Sequence, residues 1–81
     1  MDDADILTQV RDLVAEEHEL RARRQSGDLS EDEEQERLRI VEESLDQCWD
    51  LLRQRRARRE FGDDPDQAQA RPVQEVEHYL Q

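Results

Sequence analysis

The sequence predicts an all-α protein: an antiparallel two-helix hairpin of coiled-coil character that dimerises into a four-helix bundle and carries a short C-terminal segment. Three observations predict it. Apolar residues recur at heptad spacing in two separate stretches. A five-residue break with helix-stop and helix-start chemistry divides them. The two patterns also match each other when one is reversed, as antiparallel helices require.

In the first stretch Ile6, Val10, Leu13, Glu17 and Leu20 recur at spacings of 4, 3, 4 and 3, a coiled-coil seam with one polar member, which predicts a helix over 3–25. The break is SGDLS, residues 26–30. Gly27 can take the left-handed conformation that ends a helix, and Ser30 followed by Glu33 matches the capping box that starts one. In the second stretch Leu38, Val41, Leu45, Cys48 and Leu52 recur at 3, 4, 3 and 4, predicting a helix over 31–60. A connection this short joins helices that run back alongside each other.

Pairing the seams in reverse sets Ile6 against Leu52, Val10 against Cys48, Leu13 against Leu45, Glu17 against Val41 and Leu20 against Leu38, each pair of residue numbers summing to 58. One step further out the same register pairs Asp3 with Arg55 and Arg24 with Glu34, so opposite charges close both ends of the apolar seam. Each helix is acidic at its start and basic at its end, which complements the macrodipole by about 0.3–1 kcal/mol per well-placed charge.

Leu7, Val14 and Trp49 fall at positions that share one flank of the hairpin. An apolar flank on a two-helix unit meets another surface. The expected occupant is a second copy, with docking of the C-terminal segment as the competing explanation. Residues 63–81 read as a linker, DDPDQAQARP, followed by a short helix or disordered tail in which Val73, Val76, Tyr79 and Leu80 share a face.

Composition limits the remaining classes. An 81-residue chain buries only about 60–65% of its unfolded surface, so oligomerisation would help it. With 43% charged residues, three aromatics and one cysteine, the composition excludes disulfide scaffolds and most all-β designs. The N-terminus lacks the basic flank and apolar run of a signal peptide, and no apolar run exceeds three residues, so a cytoplasmic location without membrane contact is expected.

Five arginines crowd residues 53–59 of a chain whose net charge is −11. They could contact several phosphates, but without them the charge is −16, which repels a polyanion, and no interleaved aromatics are present to stack bases. Arg56, Arg58, Arg59 and Phe61, beyond the predicted reach of the first helix, are the candidates for contact with a protein partner or with phosphate. Glu17, the charged member of the seam, is the candidate register-specifying residue, unless its carboxylate turns out to meet Arg21 one turn on. Glu75 and His78 have the E-x-x-H spacing of helical metal sites, but a second such motif is missing. Cys48 sits in the seam without a basic neighbour and reads as a small apolar side chain. No catalytic, cofactor-binding or metal-ligating residues are assigned, and the expected function is non-enzymatic: a structural or protein-interaction module with an unidentified partner. The alternative is a nucleic-acid- or ribosome-associated regulator using Arg53–Arg59.

In that order and spacing, VAEEHELRARR (14–24), LDQCWDLLRQRRARREFG (45–62) and RPVQEVEHY (71–79) resemble a family of actinobacterial proteins of about this length classed as a domain of unknown function. The resemblance implies a bacterial cytoplasmic origin and supplies no catalytic or ligand residues.

Overall fold

The computed structural model describes the backbone of residues 1–80 and the side chains of residues 1–77, all in helices and their connections. Helix α1 spans Asp3–Gln25, α2 spans Glu31–Glu60, a 3-10 turn covers Pro65–Gln67, and α3 spans Val73–Leu80.

Both long helices begin with a reciprocal capping box, Asp2 with Asp5 on α1 and Ser30 with Glu33 on α2. They also end alike. Gly27 and Gly62 have φ of +86° and +75°, and the residue after each glycine donates its N–H to a carbonyl five positions back, Asp28 to Arg23 at 2.9 Å and Asp63 to Arg58 at 2.7 Å. This is the Schellman ending, in which glycine avoids the strain a Cβ would bring at positive φ.

The hairpin core has two parts. Ile6, Val10 and Cys48 are buried together near the N-terminus of α1, and Leu20, Leu29 and Val41 near the interhelical turn. Leu13 and Leu45 pack against both parts and join them. Each such aliphatic side chain contributes about 1.5–3 kcal/mol on full burial. Asp3 meets Arg55 at one end of the seam. At the other end, Arg24 and Glu34 form no ion pair among the described residues. Leu29 closes that end by packing on Leu20 and Val41, and a solvent-facing pair there would add at most about 1 kcal/mol.

After Gly62 the chain reverses and runs back along α2. Asp64 caps the 3-10 turn by accepting from the Asp66 N–H, and α3 then packs on α2. Among the described residues α3 makes no contact with α1. With extents of 51 × 25 × 14 Å, α1, α2 and the C-terminal segment lie side by side in one layer with α2 in the middle. A single layer has two open faces, and those faces hold the candidate surfaces.

Candidate interaction site

The five arginines of residues 53–59 do different jobs. Arg55 is buried: its Nε donates to Asp3 at 2.5 Å, and its Nη1 donates to the Met1 carbonyl at 2.9 Å, the Pro65 carbonyl at 3.2 Å and Asp66 at 3.0 Å. One guanidinium thus ties the N-terminus and the returning chain to α2, using the fork of donors that suits arginine to such a place. Arg59 reaches Asp3 at 3.0 Å, Arg56 reaches Glu60 at 3.1 Å, and Arg53 lies 3.8 Å from Asp50. Hydrogen bonds from Arg55 and then Arg59 hold the Asp3 carboxyl below its ordinary range.

This alters the expectation for the basic end of α2. Arg59 lies within reach of α1 because a long side chain spans the extra helical turn. Arg56 is exposed but faces Glu60, Arg58 is half-buried, and Phe61, which caps α2, is 82% exposed.

The flank residues stay open. Leu7, Val14 and Trp49 are 41%, 40% and 45% exposed. Among the described residues the C-terminal segment does not cover them, contrary to the competing explanation for that flank. It docks on the opposite side of α2, where Gln47, Asp50 and Gln54 offer polar anchors. Gln47 Nε2 donates to the Arg71 carbonyl at 3.1 Å, and Gln54 Nε2 donates to the Gln69 carbonyl at 2.8 Å.

Asp50 is the centre of this docking and has 0% exposed surface. It accepts two hydrogen bonds from Arg71, that from Nε at 2.9 Å, and one from Gln54 Nε2 at 3.0 Å. The Arg71 contact holds the Asp50 carboxyl below its ordinary range even though burial acts the other way. Beyond it Val76 is buried against α2.

On the other open face, between α1 and α2, lies a groove of about 460 Å³ bordered by Gln9, Leu13, Cys48, Leu51 and Ala70. Cys48 is buried, donates weakly to Gln9 Oε1 at 3.7 Å, and burial pushes its thiol up, away from the reactive thiolate. Glu17 is half-buried, with Arg21 at 3.5 Å. Glu75 lies 3.6 Å from Arg71, while the side chain of His78 lies outside the described residues. Among the described residues no group of three or more His, Cys, Asp or Glu side chains is placed to hold a metal ion, and no helix is long and apolar enough to cross a membrane.

Sequence reasoning missed Asp50 and Arg71, because Asp50 is not a member of the apolar seam of the second helix and Arg71 falls in the stretch that reads as a linker. One signal pointed to them. Residues 42–52 carry four acids and no basic residue, and Arg71 is the only arginine or lysine after Arg59.

The whole arrangement falls within a matched family. Over residues 2–81 the chain matches the model of the family described as "Protein of unknown function (DUF2630)". It is 57% identical over 77 residues to the uncharacterized protein Mb0922c of Mycobacterium bovis and to the uncharacterized protein Rv0898c of Mycobacterium tuberculosis, covering 95% of this chain and 88% of each relative. No solved structure matches.

Proposed function

We propose, from the premise that the chain belongs to the family of unknown function matched over residues 2–81, that it is a non-enzymatic protein-interaction module acting through self-association. The observation that carries this reading is the flank of Leu7, Val14 and Trp49, which the described residues of the C-terminal segment leave open. A single helical layer cannot bury both of its faces, so an apolar flank gains most by meeting its own kind. Two hairpins joined there make a four-helix bundle. The 51 Å length of the molecule offers room for the roughly 800 Å² per partner that a stable interface uses.

The same reading leaves the basic end of α2 a smaller role. Arg59 and Arg56 already face carboxylates, and contact with RNA or DNA would have to compete with those pairs. Light scattering coupled to size exclusion tests the proposal. The expected result is twice the 9.7 kDa chain mass for the native protein, and the monomer mass with unchanged helical circular dichroism after Leu7→Gln, Val14→Gln and Trp49→Gln together. A monomeric native protein, or a triple variant that stays dimeric, overturns it.

A further inference from the structure

The contact between α3 and α2 changes character along its length. Just ahead of α3 a cation meets an acid, Arg71 on Asp50. One helical turn away along α2, acids meet acids. Glu77 Oε1 is buried and finds no hydrogen-bond donor among the described residues, and the Glu77 carboxyl lies within hydrogen-bonding reach of the Asp46 carboxyl on α2. Asp46, Glu43 and Glu42 are the charged groups that act on Glu77 from α2. On its own helix Glu75 is turned to Arg71, and the side chain of His78 lies outside the described residues.

Two ionised carboxylates are acceptors only and repel at this distance, whereas one proton turns the contact into an O–H···O⁻ hydrogen bond, among the stronger kinds. Val76, buried against α2, is the immediate neighbour of Glu77. Whatever lifts Glu77 from the surface therefore also uncovers an apolar side chain.

We infer that the far half of α3 is a proton-dependent latch: a proton shared between Glu77 and Asp46 closes it on α2, and loss of that proton releases it while Arg71 keeps the segment tethered. The direction of the shift agrees. The contact with Asp46, then burial, then the charges of Asp46, Glu43 and Glu42 hold the Glu77 carboxyl above its ordinary value of 4.5. A group whose docked value is raised favours docking fully below its free value, and that contribution is lost as pH rises through the docked value. The Asp50–Arg71 clasp carries the opposite dependence, because the Asp50 value is lowered. The tether thus holds in the range where the latch opens.

Amide hydrogen exchange on the full chain, corrected for intrinsic rates and compared between about pH 4.5 and about pH 8, tests this. Protection of the α3 amides should fall by up to about tenfold per pH unit across the titration, the slope of one linked proton, while the buried amides of α1 and α2 keep theirs. Glu77→Gln and Asp46→Asn each supply an uncharged donor in place of the proton, and each should hold α3 protection level across the same range. Equal protection of native α3 at both pH values, or a fall that persists unchanged in both variants, overturns the latch.

Discussion

Asp50 and Arg71 are an unequal pair, and the inequality has a measurable consequence. Asp50 has no exposed surface, whereas about a third of the Arg71 side chain reaches water. Removing the partner of a buried charge costs about 3–5 kcal/mol when that charge stays buried. Among the described residues, Arg71→Ala would leave Asp50 with Gln54 as a close partner and Arg53 at 3.8 Å. The docking of one eight-residue helix cannot offset such a cost, so the C-terminal segment should come away and let Asp50 rehydrate. Limited proteolysis should then cut the variant within residues 62–72 much faster than the native chain, with α1 and α2 resistant. In Asp50→Asn the arginine can turn to solvent and the amide keeps a bond to Gln54, so cleavage there should rise far less. None of this is visible from heptad spacing, which leaves Asp50 outside the apolar seam. Only the partner, 21 residues further along, makes burial of the carboxylate tolerable.

At the scale of the element, the long helices are specified by local chemistry. Ser30 accepts from the Glu33 N–H at 3.2 Å while Glu33 accepts from the Ser30 N–H at 3.4 Å, the arrangement that the S-x-x-E pattern announces. Ser30→Ala should lower stability by about 1 kcal/mol, read as a shifted urea midpoint with unchanged slope. The Gly27 ending was also legible, since a glycine after the last periodic residue is the ordinary way to stop a helix. What the element scale misjudged was reach. Arg59 lies beyond the predicted reach of the first helix, yet its long side chain crosses that gap to meet Asp3.

The whole molecule is a layer of helices in which α2 carries everything else. Asp3, Arg55 and Asp66 bind the first residues, the middle helix and the returning chain at one point, so loss of charge there loosens three segments together. Asp3 and Asp50 both sit below their ordinary value of 3.8. A carboxylate depressed in the folded state adds stability above its unfolded value, and that addition is lost as pH falls through the folded value. Stability should therefore be retained down to about pH 4 and decline below it. Asp3→Asn combined with Asp50→Asn should weaken the protein at neutral pH and flatten the decline. Urea unfolding at about pH 7 and at about pH 2.5 measures both effects.

The likeness to a small actinobacterial family of unknown function was borne out by the family match and the mycobacterial relatives. The all-helical class with two long helices was borne out by the structure, in which part of the C-terminal segment forms a short third helix. Heptad spacing, the Gly27 break and the Ser30 cap determined the hairpin and its register, because each acts within a few residues or across one repeating seam. Where the C-terminal segment goes was decided by tertiary structure alone. Its anchors, Asp50, Gln47 and Gln54, look like solvent-facing residues of an isolated helix until the Gly62 turn brings Arg71 back over them.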